Sequence, residues 1–165
     1  MTTAAPTASG REVFIERDFD APRALVFQAW IDPERLVRWY APHGCTTRFQ
    51  TFDPRPGGTF HSCIRSSEGH ECWCRGTFKE IVPPERLVYT LAIADANGNL
   101  VSPTDMGMDP DWPAETTLTV TFDDLNGRTR LTLRQTVDEA LARKTGAHPS
   151  WLQMFDRLNE LLVHR

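Results

Sequence analysis

The densest group of chemically versatile side chains is His61, Cys63, His70, Cys72 and Cys74, all within fourteen residues. Zinc takes Cys and His in a tetrahedral set, so the first question is whether these five can converge. If Ser66 pairs with His70 around a Ser67-Glu68-Gly69 turn, strand alternation places Cys72 and Cys74 on one face with Ser62 and Ile64. His61 and Cys63 then fall on the opposite face, with Trp73 and Arg75. A one-residue slip changes the partners but does not unite the five. The spacing is not the CxxC pair of a zinc ribbon, and no metal is expected. Two readings stay open for the cysteines. They can be small buried hydrophobes, or Cys72 and Cys74 can have a redox or ligand-contacting role.

Other catalytic signatures are missing from the sequence. There is no Ser/His/Asp grouping, nucleophile elbow, phosphate loop or dinucleotide fingerprint. Asp18, Asp20, Asp32 and Asp53 sit at strand ends and helix caps, where acids serve structure. No catalytic residue and no cofactor is therefore expected. With 18 basic and 22 acidic residues and no Lys/Arg run, the chain offers no surface for tracking phosphates, and no nucleic-acid partner is expected. No apolar run approaches the roughly 20 residues that cross a bilayer. Residues 1–10 are small and polar, without the basic start and apolar centre of a signal peptide, and read as a disordered tail ahead of one domain, 11–165. A cytoplasmic location is expected, with the four cysteines as thiols.

The elements that would position these residues follow from periodicity. Trp151, Phe155, Leu158 and Leu162 recur at helical spacing and predict one long amphipathic helix over 149–163, with Pro149 at its first position. Leu152, Met154 and Leu161 widen its apolar stripe, and Gln153, Asp156, Arg157 and Glu160 face away. A strand is predicted at 12–19, then a helix after Asp20-Ala21-Pro22 and a short one after Asp32-Pro33-Glu34. Strands follow at 46–52, 59–65, 71–81 and 87–93, then a long polar segment at 95–115 and a hairpin about Asn126-Gly127. Leu118, Val120 and Phe122 alternate with threonines, as an antiparallel sheet with one wet face requires. The expected class is α+β, a helix-grip fold. A curved antiparallel sheet of about six to seven strands wraps a long C-terminal helix, with two short helices after the first strand.

Several separated runs carry a family resemblance. They are FDAPR at 19–23, WIDPERL at 30–36, WYAP at 39–42, DPRPGGTF at 53–60, GTFKEIVPPERL at 76–87 and TRLTL at 129–133, completed by the helix from Trp151. Together they resemble the START/Bet v-like superfamily. Within it, the chain is similar to bacterial proteins related to the C-terminal domain of the heat-shock protein 90 ATPase activator. The resemblance implies the helix-grip fold and a cavity. The motifs themselves are largely structural, so a site must be argued separately.

The inward sheet face would present Phe60, Ser62, Ile64, Phe78, Tyr89, Leu91, Leu118, Val120 and Leu133 towards Trp151 and Phe155. Either these pack solid or they enclose a pocket, apolar with a few fixed polar groups such as Ser62 and the Tyr89 hydroxyl. The 95–115 segment, with Met106, Met108 and Trp112, either covers a cavity mouth or is anchored by Trp112 for stability. The site residues expected on this reading are Phe60, Ser62, Cys72, Cys74, Tyr89, Trp112 and Trp151, and the partner is a small, largely apolar molecule. A chaperone-associated or regulatory module binding a protein surface is the alternative, resting on resemblance. An enzyme acting on a hydrophobic or polyketide-like substrate is the third. Because Trp151 opens the apolar stripe, Trp151→Ala is expected to cost about 3–5 kcal/mol in denaturant unfolding. A loss below about 1 kcal/mol would remove Trp151 from the core.

Overall fold

Apolar–polar alternation is realised as seven antiparallel strands in a computed structural model that describes residues 10–164. In chain order the elements are β1 (Glu12–Phe19), α1 (Arg23–Ile31), α2 (Pro33–Leu36), β2 (Thr46–Phe52), β3 (Thr59–Arg65), β4 (Glu71–Val82) and β5 (Arg86–Ala94). A 3-10 turn (Pro103–Met106), β6 (Glu115–Leu125), β7 (Arg128–Asp138), α3 (Glu139–Thr145) and α4 (Ala147–Val163) complete the chain. The expected tail at 1–10 lies outside the described residues but for Gly10. The sheet order is β1-β7-β6-β5-β4-β3-β2, so the first strand pairs with the last one made.

Local chemistry sets the boundaries. The Asp32 carboxylate accepts the Glu34 N–H and caps α2, which opens on Pro33. Asp138 caps α3 by accepting the Leu141 N–H. Gly146, at φ 90°, ends α3 and turns the chain directly into α4. The final helix therefore begins at Ala147, two residues earlier than predicted, and Pro149 is its third residue. Proline is tolerated there because the first-turn N–H groups have no helical acceptor.

Two helix-face assignments change. Leu152 is 39% exposed, because the buried stripe is centred on Trp151, Met154, Phe155, Leu158 and Leu162. Arg157 does not simply face away. Its guanidinium donates to the carbonyls of Arg38, Ala41, Pro42 and Cys45, at 2.7–3.3 Å. These carbonyls lie just beyond α2, where the chain leaves helical pairing and a cation can satisfy them. Arg157 thus ties α4 to the segment that carries Tyr40.

The core is aromatic. Trp30 of α1 lies within 6.4 Å, centroid to centroid, of the rings of Trp39, Tyr40, Tyr89, Phe122, Trp151 and Phe155. Ladder irregularities between Phe49 and Thr51 and between Phe78 and Glu80 help the sheet to bend around this mass. At Gly76 the approach is closest. A Cβ there would stand 1.9 Å from the Thr90 carbonyl oxygen and 2.5 Å from the Phe60 ring. Gly76→Ala is expected to destabilise by about 3 kcal/mol in chemical denaturation, since both obstacles belong to packed structure. A loss within about 0.5 kcal/mol would show that β4 and β5 can part freely at this point.

Candidate ligand-binding cavity

Two spaces lie on the concave side of the sheet. The inner one is small, about 20 Å³, and is enclosed by Trp30, Tyr40, Phe52, Phe60, Phe78 and Tyr89 with Leu36 and Leu87. The outer one is about 160 Å³. The sheet supplies Ile64, Cys72, Cys74, Leu91 and Ile93 to it. Helix α4 and its start supply Ala147, Ser150, Trp151 and Met154, and the 95–115 loop supplies Met108, Trp112, Pro113 and Ala114. Tyr40 lines both spaces. The outer cavity opens to solvent where Cys72 and Ala114 are exposed.

Of the residues expected from sequence, Cys72, Cys74, Trp112 and Trp151 line the outer cavity, and Phe60 and Tyr89 line the inner one. Ser62 is buried opposite Cys74 in the β3–β4 ladder and lines neither. The 95–115 loop does more than anchor itself. It first folds over the outer sheet face, where Asp95 O meets His61 Nε2 at 2.9 Å, and then passes the cavity mouth with Met108 and Trp112. An ion pair, Lys144 Nζ to Asp109 Oδ2 at 3.2 Å, ties it to α3. The Asp109 carboxyl is held low by the Asp111 backbone N–H and by this lysine.

Sequence reasoning missed Tyr40, Thr116 and Gln135, which supply polar groups here. The Tyr40 and Tyr89 hydroxyls are 2.8 Å apart and wholly buried. Burial pushes the pKa of each upward, so both stay protonated. Gln135 is buried, and its amide is fixed at both ends. Its Nε2 donates to Thr116 Oγ1 at 3.1 Å, and its Oε1 accepts the Trp151 Nε1–H at 3.1 Å. Gln135 left a signal, a polar residue at the inward parity between Leu133 and Val137. Tyr40 left none, because it follows α2 in irregular chain. Trp30 Nε1 is the buried side-chain polar atom without a hydrogen-bond partner among the described residues.

The His/Cys cluster divides as the alternation predicts, with Ser62 opposite Cys74, Cys63 opposite Trp73 and Ile64 opposite Cys72. His61 stacks on Trp73 at 4.9 Å on the outer face, and Cys63 is fully buried there. Among the described residues, no three His, Cys, Asp or Glu side chains are grouped to hold a metal. Cys72 and Cys74 do meet, on the cavity side. Interaction with the Cys74 thiol brings the Cys72 thiol down to about 7, and the same interaction, with burial added, pushes that of Cys74 up. Among the described residues, no Asp, Glu, His, Lys or Arg lines the cavity.

Comparison with known proteins places this geometry. The family model described as "Activator of Hsp90 ATPase homolog 1-like protein" matches residues 20–163. A comparison with curated proteins found no match. Among solved structures, a protein of Chromobacterium violaceum is 24% identical, covering 93% of this chain and 97% of its own, with a TM-score of 0.76. One from Arthrobacter aurescens is 23% identical over 92% of this chain and 86% of its own, with a TM-score of 0.79. An AHSA1 protein from Silicibacter pomeroyi is 19% identical over 94% and 100%, with a TM-score of 0.72. These likenesses establish a shared fold. With the family match spanning both short helices, strands β2 to β7 and α4, the chain belongs to the Activator of Hsp90 ATPase homolog 1-like family, within the START/Bet v-like superfamily.

Proposed function

We propose that this protein binds a small, uncharged, largely apolar molecule in the outer cavity, with residues 11–165 acting as one cytoplasmic unit. The observation that carries the reading is the lining itself: apolar side chains from sheet, helix and loop, a few fixed polar groups, and no charge. A cavity of about 150 Å³ suffices for a benzene-sized guest, so the ligand's buried part is about one ring in size. Tyr40, Ser150 and the thiols are placed to meet one polar atom of it. The same lining argues against an acid–base enzyme. Among the described residues no carboxylate or histidine reaches the cavity, and the two tyrosines are held protonated. The protein-partner alternative has less support. The large exposed apolar residues, Phe14, Val82, Leu100, Met106, Leu152 and Val163, are spread over β1, β4, the 95–115 loop and both ends of α4. Titration with an uncharged, one-ring solvatochromic dye is expected to saturate at one per chain and to quench Trp112 and Trp151. Ala114→Trp at the exposed rim is expected to weaken binding about tenfold or more, about 1.4 kcal/mol, with the melting curve retained. Absence of dye binding by the wild type, or equal binding by a folded Ala114→Trp variant, would reject the cavity as the binding site.

A further inference from the structure

Cys72 and Cys74 are the nucleophilic groups in the cavity lining. They stand two apart on β4, so both thiols project from one face. Cys72 is exposed at the mouth and Cys74 is half-buried behind it. Around them lie Ile64, Leu91, Ile93 and Met108.

Three uses of such a pair can be compared. A disulfide is disfavoured. Residues two apart in a strand are separated by about 6.6–6.8 Å, at the upper limit of the roughly 4.4–6.8 Å that disulfides span. Closing the gap would pull on the ladders that hold the strand, Cys72 opposite Ile64 on β3 and Cys74 opposite Ser62 on β3 and Ile93 on β5. A zinc site is disfavoured because two donors leave the tetrahedral set half-filled, and no third Cys, His, Asp or Glu joins them among the described residues. What the arrangement does provide is an accessible thiol, a second thiol beside it on the same strand face, and an apolar chamber next to both.

We propose that Cys72 captures small apolar molecules bearing a soft carbon electrophile, an α,β-unsaturated carbonyl, with the apolar body held in the outer cavity. The inference rests on the ligand-binding reading above and names the chemical class of the ligand. The Cys72 thiol loses its proton to water, and the Cys74 Sγ–H donates to the resulting thiolate. The Sγ electron pair forms a bond to the β-carbon. The C=C π bond breaks and its electrons move towards the carbonyl as an enolate. The α-carbon takes the Cys74 proton, and water restores it. The product is a thioether, with nothing oxidised or reduced. The Cys74 thiol lowers the pKa of Cys72, which raises its thiolate fraction above that of an ordinary cysteine, as this chemistry needs.

The test is alkylation at pH 7, read by peptide mass spectrometry, with half-exposed Cys45 in the same molecule as reference. N-phenylmaleimide, apolar and one-ringed, is expected to label Cys72 about tenfold faster than Cys45, and small polar iodoacetamide is expected to give a lesser advantage. Cys74→Ala is expected to slow Cys72 about fivefold at pH 7, with Cys74→Ser, which keeps a donor, recovering most of the rate. Ala114→Trp is expected to abolish the preference for the apolar reagent. The proposal is overturned if Cys72 reacts no faster than Cys45, if both reagents gain equally, or if mild oxidation links Cys72 to Cys74. Dye binding separates the two readings. A protein that binds dye but leaves Cys72 sluggish keeps its cavity and loses the capture step, whereas one that binds no dye loses both.

Discussion

Trp30 is the side chain on which the arrangement depends. It is almost wholly buried, stacked at 25° on Trp151 and edge-on to Trp39, Tyr40 and Phe122. Each such ring pair adds about 0.5–1.5 kcal/mol beyond burial. More important is where the rings sit. They fill the middle of the concave face and leave about 20 Å³ between Trp30, Tyr40 and the rings of Phe52, Phe60, Phe78 and Tyr89. Usable space survives only where the lining becomes small, at Ala147 and Ser150 near the start of α4. The position of the cavity is thus a consequence of where the large aromatic residues are placed.

Polar groups follow the same division. The tyrosine pair marks the boundary between filled centre and open end, and each hydroxyl satisfies the other, as burial demands. Gln135 joins Trp151 of the helix to Thr116 of β6 through one amide. That amide fixes the indole that forms one wall of the cavity, so the wall is positioned before any guest arrives, which lowers the ordering cost of binding.

Much of the fold could be read from the chain. Strand alternation, the Asp32 cap, the hairpin at Asn126-Gly127 and the partition of His61 and Cys63 from Cys72 and Cys74 all rest on local rules, and local rules decide them. Volume is not local. Phe60 and Tyr89 have the right parity for a cavity wall, but the rings opposite close their side, and parity reports a face without reporting what stands across from it. Ser62 shares that parity and is buried without lining either space. Arg157 defeated periodicity for a related reason: its partners are backbone carbonyls over a hundred residues away, invisible to any helical pattern. Leu152 shows the converse, an apolar residue that the tilt of the helix leaves in solvent.

The pairing of β1 with β7 has a consequence for synthesis. Glu12 lies opposite Asp138 and Phe19 opposite Thr129, so β1 leaves the ribosome long before its ladder partner β7 does. Until then Val13, Ile15 and Phe19 have neither a neighbouring strand nor the helix that later covers them. Such long-range closure is slow, and an unpaired apolar strand is prone to adding itself to another chain. Glu12, Glu16, Arg17 and Asp18 put charge on this strand during that interval, as gatekeeper residues do beside apolar strands. The same residues then serve twice, since in the finished fold Arg17 pairs with Asp156 of α4 and Asp18 with Arg130 of β7.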